Sequence, residues 1–496
     1  MMIKSMKEVT FTTWELQPNN TYCQVEMQFK STNESEIVIF RNGKLHSTLN
    51  GSYFILPTIC CGICSTDLAR VFLPFPLPQI TGHEVVVDVN ELEYGLVEIN
   101  DAHISHNDKL LETRGCKYCL SIPTQCPERI TFGINQWPGG FAPYVIVPKN
   151  NLIRVPKKDF DIKSLVLVEP FAATVLAVEN VAFKNQDTVA VLGAGRLGLL
   201  LLAALVTYRA KKNLNFHIST IVRSLTNAEM AKQLGADHVL TLMDVKLDGS
   251  VSFDVVFDTT GKAEGLETAL KLAKREVHLK STHGQPVLGI KHLTELVVDE
   301  IALVPYSREA LEFGWISEEQ KRSNNFIYIA SPDQLSLDEY DDSKHLYCPA
   351  NPDKWISENA QEFDKAPLPR FDLAIASNAE QVDFILRPNE SHDRSLVRAR
   401  GAILLSKKEE GTWDSPLLQT LVDKNIKLTS SRCGNFERAL SFLSESIKGQ
   451  TTADMVKKLV THEFDLKDLP TAIKVASGEL IADNQKKSIK IMVNCQ

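Results

Sequence analysis

The 496-residue sequence has no long apolar run and no excess of basic residues. A membrane-spanning helix needs about 20 consecutive apolar residues, whereas the longest candidate, residues 197–208, is much shorter and directly follows Arg196. Lysine and arginine number 54 against 62 acidic residues, so the formal net charge is −8. Because nucleic-acid surfaces need concentrated basic side chains, we expect no nucleic-acid partner and no membrane partner.

The first residues also lack the apolar core that is typical of a secretory signal. We therefore expect a cytoplasmic protein, in which ten cysteines do not form a disulfide framework. Short spacings between cysteines are typical of metal ligands. Six of the cysteines have such spacings, in two clusters: Cys60, Cys61 and Cys64, and Cys116, Cys119 and Cys126.

Two patterns divide the chain. The first 150 residues are rich in strand-forming segments with proline and glycine between them. From about residue 162, short apolar strands alternate with helices of ten or more residues, beginning with the predicted strand 187–192 and the predicted helix from Leu197. This alternation predicts an α/β fold with a doubly wound parallel sheet of the Rossmann type.

A glycine motif follows the first of these predicted strands and opens the next helix. The first glycine allows a tight turn, the second lets the backbone approach a pyrophosphate, and the third lets helix and strand pack closely. Tight packing alone would also explain the glycines, but the strand and helix around them favour dinucleotide binding. The predicted cofactor-binding residues are Gly193, Ala194, Gly195, Arg196, Leu197 and Gly198.

The end of the next predicted strand indicates which dinucleotide binds. An acidic residue about 20 positions after the motif would bind the ribose 2′-hydroxyl of NAD. Here the strand ends in Arg223 and Ser224, with no acidic residue. Because an arginine can pair with a 2′-phosphate, these residues favour NADP over NAD, although Arg223 could instead stack on the adenine.

A candidate metal site precedes the glycine motif. Cys64, His83 and Glu84 offer a thiolate, an imidazole and a carboxylate within one β-rich region, and Glu169 lies in an apolar segment where a carboxylate needs a partner. This donor set suits Zn²⁺. Each residue alone has an ordinary explanation as a core or helix-terminal side chain, but their order with the glycine motif favours the metal site.

With these motifs in this order, the sequence resembles the zinc-dependent medium-chain dehydrogenase/reductase family, which includes alcohol, polyol, glucose and threonine dehydrogenases. The resemblance covers roughly residues 35–304 and 426–496. It implies a Rossmann domain and a β-rich GroES-like catalytic domain. The motifs that carry it are Cys61-Gly-Ile-Cys-Ser-Thr-Asp67, Gly82-His-Glu84, Val168-Glu-Pro170, Val191-Leu-Gly-Ala-Gly-Arg-Leu-Gly198 and Ser431-Arg-Cys-Gly434.

The resemblance also implies roles for single residues. Cys64, His83 and Glu169 would be zinc ligands, with Glu84 a ligand that exchanges with water or substrate. Thr66 would contact the reacting oxygen and pass its proton outward, and Asp67 would steady a ligand. The implied function is zinc-dependent hydride transfer between NAD(P) and an alcohol, polyol or sugar, or the corresponding carbonyl.

The sequence departs from the family in three places. The position where many members carry a relay histidine holds Ala69. The family's second, structural zinc has four cysteines, whereas only Cys116, Cys119 and Cys126 are present here, with His103 or His106 as conceivable substitutes. We therefore expect this second zinc site to be lost or weakened.

The third departure is an insertion from residue 305 onward. Its segments 371–376 and 397–406 repeat the outline of 253–258 and 272–281, and 422–428 repeats 298–303. This is either a partial internal repeat or the coincidence of two generic α/β units. We expect a GroES-like zinc domain over 1–160, a Rossmann domain over 161–304, the insertion over 305–425, and the end of the cofactor domain with a return to the catalytic domain over 426–496.

Two other functions remain open at this point. One is a zinc-free reductase on the same fold, and the other is a non-catalytic relative that binds a dinucleotide as a sensor or scaffold. Family members commonly form dimers or tetramers through the cofactor domain, so a homo-oligomer is conceivable, although the insertion falls near the strand that would make this contact. The sequence does not specify the substrate.

Overall fold

The chain forms two compact units in a computed structural model. The first comprises Met1–Val175 and Cys433–Gln496, and the second Leu176–Arg432. Among the described residues, no helix combines the length and apolar character needed to cross a membrane. The described residues are 3–102, 122–126, 129–223, 227–245, 250–280, 286–305, 327–329, 346–347, 371–388, 395–406, 413–481 and 488–496.

The first unit begins with a four-stranded antiparallel sheet in the order β1-β2-β3-β4. Side chains alternate between its two faces with a period of two residues. In β1, for example, Val9, Phe11 and Thr13 are buried while Thr10 and Thr12 are exposed. The strands are β1 Glu8–Leu16, β2 Tyr22–Asn33, β3 Glu36–Arg41 and β4 Lys44–Asn50.

A seven-stranded sheet carries the metal-site motifs of the first unit. Its path is β12-β7-β6-β5-β27-β26, where β26 is Val460–Asp465 and β27 is Lys490–Asn494, and β11 pairs with β5. A separate small sheet is formed by β8, β9 and β10. The strands are β5 Tyr53–Gly62, β6 Glu84–Asn90, β7 Glu93–Val97, β8 Asn100–Asp101, β9 Ile130–Phe132, β10 Gln136–Trp137, β11 Tyr144–Pro148 and β12 Leu152–Pro156.

The described residues of the second unit form an eleven-stranded sheet, in the order β15-β14-β13-β16-β17-β23-β18-β22-β21-β19-β20. Most neighbouring strands are parallel, as the sequence predicts. The strands are β13 Thr188–Leu192, β14 His217–Val222, β15 His238–Thr241, β16 Phe253–Asp258, β17 Ala273–Leu279, β18 Ala302–Pro305, β19 Ile327–Ile329, β20 Leu346–Tyr347, β21 Phe371–Ala376, β22 Val397–Leu405 and β23 Lys427–Ser430. Four strands of the predicted insertion, β19 to β22, thus belong to the same sheet.

Helices connect these strands. The helix Arg196–Lys211 is buried along most of its length, including Leu199–Leu202, so its uniformly apolar sequence reflects packing inside the unit. The other helices in the described part of the second unit are Ala228–Gln233, Ala263–Leu272, Leu293–Val298, Ala379–Leu386 and Pro416–Asp423.

The chain returns to the first unit after Arg432. The hairpin β24 Ser446–Ile447 and β25 Gln450–Thr451 precedes β26 Val460–Asp465 and β27 Lys490–Asn494, and the last two join the seven-stranded sheet. The helix Val168–Glu179 contains the boundary between the units, after Val175. The described α-helices that lie wholly in the first unit are Ser65–Leu68, Ile162–Leu165, Phe436–Leu443, Thr452–Val456 and Leu469–Ser477.

Candidate active site

Cys64 lies at the start of a one-turn helix, just after β5. It occupies the N-cap position of the helix Ser65–Leu68 in extended backbone conformation. The carboxylate of Asp67 turns back and accepts a hydrogen bond from the Cys64 amide, with an N–Oδ2 distance of 2.8 Å. This is the reciprocal half of a capping box, so the helix start fixes the position of the thiol.

The other carboxylate oxygen of Asp67 holds the second ligand-bearing segment. Oδ1 accepts a hydrogen bond from the amide of Gly82 at 3.0 Å, immediately before His83 and β6. Gly82 has a φ of +92°, and a Cβ there would lie 2.8 Å from the Cys61 sulfur, so only glycine fits. The buried Asp67 carboxylate therefore ties the Cys64 turn to the His83 segment.

Three potential metal ligands converge at this point. A ligand atom from each of Cys64, His83 and Glu84 lies within 4.8 Å of the other two. His83 and Glu84 are only 3% and 1% exposed. The buried Nδ1 of His83 has no hydrogen-bond partner among the described residues, although Asp67 Oδ1 lies 3.7 Å away. A thiolate, an imidazole and a carboxylate this close together fit a zinc ion.

The charges of the cluster favour the thiolate form that binds metals. Burial alone would raise the pKa of Cys64, but the charges of His83 and Lys490 outweigh it and lower this pKa below its usual value. Burial likewise disfavours a charged His83, yet the negative charges of Asp67, Cys64 and Glu169 raise its pKa. Both directions favour an imidazolium–thiolate pair, in which a cation can take the place of the proton.

Lys490 is the main residue of this cluster that the sequence does not reveal. Its ammonium lies on β27, pairs with the Glu84 carboxylate, and donates a hydrogen bond to the Ile63 carbonyl at 3.0 Å. Lys490 is 3% exposed, and burial lowers its pKa. Glu84 is thus held by an ion pair while its carboxylate remains within the ligand cluster.

The remaining predicted residues of this site lie near the cluster. The Thr66 hydroxyl is 3.8 Å from the Cys64 sulfur. Glu169 is in the first turn of the helix Val168–Glu179 and acts on His83 through its charge, but it does not belong to the group within 4.8 Å. Its role as a zinc ligand stays a prediction.

The proposed structural zinc site falls mostly outside the described residues. Cys116 and Cys119 lie there, as do His103 and His106. Cys126 is described, and it is buried. The expectation that this second zinc site is lost or weakened stays a prediction.

The glycine loop has the backbone features that pyrophosphate binding requires. Gly193 has a φ of +102°, which favours glycine, and a Cβ on Gly198 would lie 2.0 Å from the Gly193 carbonyl oxygen. Gly195 is the N-cap of the helix Arg196–Lys211, and a Cβ there would meet open space. The loop therefore presents a helix N-terminus without a side chain between it and an anion.

Two side chains that the sequence analysis overlooked brace this loop. Asn227 Nδ2 donates a hydrogen bond to the Ala194 carbonyl at 2.6 Å, and Thr259 Oγ1 donates to the Leu192 carbonyl at 3.0 Å. Arg223 directly follows β14 and is exposed, whereas Ser224 lies outside the described residues. Arg223 is therefore accessible to a ligand.

Comparisons with known proteins agree with these motifs. The family model of the alcohol dehydrogenase GroES-like domain matches residues 54–157. (R,R)-butanediol dehydrogenase of Saccharomyces cerevisiae is 26% identical over 285 residues, covering 47% of this chain and 72% of that protein. L-idonate 5-dehydrogenase (NAD(P)(+)) of Escherichia coli is 27% identical over 275 residues, covering 51% of this chain and 76% of that protein.

Solved structures show the same fold. An alcohol dehydrogenase from Thermotoga maritima superposes with a TM-score of 0.56 at 14% identity, covering 98% of this chain and 99% of that chain. This confirms the predicted combination of a Rossmann sheet with a GroES-like domain. The sequence matches support the predicted zinc-type medium-chain dehydrogenase/reductase family, and the chain is an alcohol dehydrogenase-like oxidoreductase.

Proposed function

We propose that this protein is a zinc-dependent dehydrogenase that transfers a hydride between NADP or NAD and an alcohol, polyol or sugar, or the corresponding carbonyl. The observation that carries the proposal is the convergence of Cys64, His83 and Glu84 within 4.8 Å in a chain that also has a dinucleotide-type glycine loop. The relatives named for butanediol and L-idonate oxidation support a substrate with a hydroxyl-bearing carbon.

Each residue of the cluster has a defined task in this proposal. Cys64, His83 and Glu169 would hold the zinc, which when bound supplies a Lewis acid that polarises the substrate oxygen. Lys490 holds Glu84 by their ion pair, and this pair would compete with the zinc for the Glu84 carboxylate. Asp67 keeps the Cys64 and His83 segments in register through its two backbone hydrogen bonds.

Thr66 is proposed to exchange the proton of the reacting hydroxyl. Its hydroxyl lies 3.8 Å from the Cys64 sulfur, which places it beside the proposed metal. A hydroxyl both donates and accepts hydrogen bonds, so it can receive the substrate proton while donating its own. Because Ala69 occupies the position of the family's relay histidine, the proton must leave Thr66 by another route.

An assay with a panel of secondary alcohols and polyols, with NADP⁺ and NAD⁺, tests the proposal. We expect turnover by the wild type and a loss of at least about 100-fold in Cys64→Ser, as for removal of a central catalytic group. Cys23→Ser is the matched control because Cys23 is exposed. Undiminished turnover by Cys64→Ser would favour a zinc-free reductase. Dinucleotide binding without any turnover would favour a sensor or scaffold.

The preference for NADP rests on Arg223. A charge-assisted hydrogen bond to a phosphate is worth about 1.5–3 kcal/mol, so Arg223→Ala should weaken NADPH binding by about 10- to 150-fold. NADH binding should change little. The measurement is a fluorescence titration of both reduced dinucleotides. Tighter binding of NADH than of NADPH, unchanged by Arg223→Ala, would contradict the preference.

A further inference from the structure

The eleven-stranded sheet consists of two halves that run in opposite directions. Strands β15, β14, β13, β16, β17 and β23 are parallel to one another, as are β18, β22, β21, β19 and β20. The halves meet where β18 pairs antiparallel with β23, with Leu303 opposite Leu428. The carboxyl ends of the second half therefore lie at the opposite edge of the sheet from the glycine loop.

The same succession of elements occurs once in each of the two copies of the predicted repeat. The first copy runs β16, helix Ala263–Leu272, β17, helix Leu293–Val298, β18. The second runs β21, helix Ala379–Leu386, β22, helix Pro416–Asp423, β23. Two generic α/β units would share this order as well, so the order alone does not distinguish a repeat from coincidence.

The positions of two irregularities in the strand pairing favour a repeat. The register of β16 with β17 shifts between Phe253 and Val255. The register of β21 with β22 shifts between Phe371 and Leu373, which are the corresponding positions of the second copy. The shift inserts one extra residue in β17 and three in β22, so the two irregularities agree in their position along β16 and β21 but not in their size.

The turns before the third strands also match. Glu300 has a φ of +56° and Asn425 a φ of +51°, in a region that few residues other than glycine adopt. After each comes an isoleucine whose amide donates to the carbonyl of a leucine five residues earlier. These bonds are Ile301 to Leu296 at 2.9 Å and Ile426 to Leu421 at 2.8 Å.

The last strand of each copy pairs with the middle strand of the other copy. Strand β23 of the second copy pairs with β17 of the first, and β18 of the first pairs with β22 of the second. Leu303 and Leu428 hold equivalent positions, two residues after the matched isoleucines, and they pair with each other. Equivalent residues that contact each other mark a two-fold axis, as at the interface of a symmetric dimer.

Polar contacts between helices follow the same exchange. Arg387, after the first helix of the second copy, forms an ion pair with Glu295 in the second helix of the first copy, with an Nη1–Oε1 distance of 3.2 Å. Between the other two helices of this exchange, Lys424, after the second helix of the second copy, donates to the Leu270 carbonyl in the first helix of the first copy at 2.7 Å. Each copy thus packs one of its helices against a helix of the other copy.

We propose that residues 305–430 contain a second, degenerate Rossmann half that takes the place of a partner subunit inside the same chain. It pairs with β18, whose Leu303 and Val304 are fully buried, so this strand does not pair with a second molecule. An unpaired strand edge is a template for association, and here the edge is satisfied internally. This inference does not depend on the proposed dehydrogenase function.

The second half is also unsuited to a dinucleotide. Strand β19 neighbours β21 as β13 neighbours β16, but the residues after it, Ala330, Ser331 and Pro332, include no glycine. At the helix that follows β21, the Asp414 carboxylate accepts a hydrogen bond from the Ala379 amide at 2.9 Å. This carboxylate would repel an anion at the N-terminus of that helix. With no glycine motif after β19, we expect one dinucleotide site per chain, at the glycine loop.

Cysteine crosslinking of the full chain tests the pairing. In the double variant Leu303→Cys/Leu428→Cys, mild oxidation with copper phenanthroline, which takes up the two electrons, should join the two introduced thiols as a disulfide within one chain. The product is expected at the monomer mass of 55.4 kDa, with the linked peptide pair identified by mass spectrometry after digestion. The single variant Leu303→Cys is the control and should not form a covalent dimer through this position. A covalent dimer of the single variant, or no link at all in the double variant, would overturn the proposal.

Hydrogen exchange on the wild-type chain covers the case in which these variants fail to fold. The amides of β18 should be protected to the same degree at low and at high chain concentration, because their partners are in the same molecule. Loss of this protection on dilution would overturn the proposal. Titration with NADPH adds a separate check: one site per chain is expected, and two sites would contradict the degeneracy of the second half.

Discussion

Replacing Lys490 by methionine tests the most unusual feature of the candidate site. The change removes a buried ammonium and leaves its partner Glu84, 1% exposed, as an unpaired charge. Removing one member of a buried ion pair costs about 3–5 kcal/mol, and the Ile63 carbonyl also loses its donor. For a domain of 150–250 residues, each kcal/mol lost from the free energy of unfolding lowers the melting temperature by about 2–4 °C. We therefore expect the melting temperature of the zinc-free protein to fall by about 6–20 °C.

The assay is thermal unfolding by circular dichroism after chelation of metal. Lys467→Met is the matched control, because Lys467 is 76% exposed and such surface changes stay within about 0.5 kcal/mol. The double variant Lys490→Met/Glu84→Gln should recover part of the lost stability, since both charges are then absent. Equal melting temperatures for Lys490→Met and Lys467→Met would refute the argument, and so would additive effects in the double variant.

Three further changes have defined outcomes. Asp67→Asn should weaken zinc affinity by about 10- to 100-fold, because removing a partner that orients metal ligands has this effect, and unchanged affinity in a competition with a chelating dye would contradict the role. Gly198→Ala places a Cβ 2.0 Å from the Gly193 carbonyl oxygen, so dinucleotide affinity should fall by at least about tenfold while the zinc content stays constant. An NADPH affinity equal to that of the wild type, measured by calorimetry, would contradict the role of this loop in dinucleotide binding. Thr66→Ala should lower kcat by about 100-fold or more without loss of zinc, and a kcat equal to that of the wild type would exclude Thr66 from proton transfer.

Much of the fold follows from local sequence signals. The short apolar β-branched segment before Gly193 predicts β13, and the apolar run after Leu197 predicts the helix that begins at Arg196. Cys64, His83 and Glu84 lie within or beside short motifs, so their close spacing along the chain indicates that they share one region of the fold. The glycine positions likewise follow from backbone requirements that few other residues meet.

The residues that sequence analysis missed lack such local signals. Lys490 lies 406 residues from Glu84, and a single lysine in an apolar strand does not reveal its partner. Asn227 resembles any turn residue until its contact with Ala194 is seen. Parallel strands leave no hairpin or turn that fixes their neighbours, so the exchange between β18 and β23 could not be derived from the repeat alone.

The most direct test of the account is the zinc content of the purified chain, measured by mass spectrometry of the metal after expression in zinc-rich medium. We predict that Cys64→Ser contains about one zinc per chain less than the wild type, while Cys23→Ser contains as much as the wild type. This difference holds whether or not a second zinc binds near Cys126. A wild-type chain without zinc, or a Cys64→Ser chain with an undiminished zinc content, would contradict the central claim.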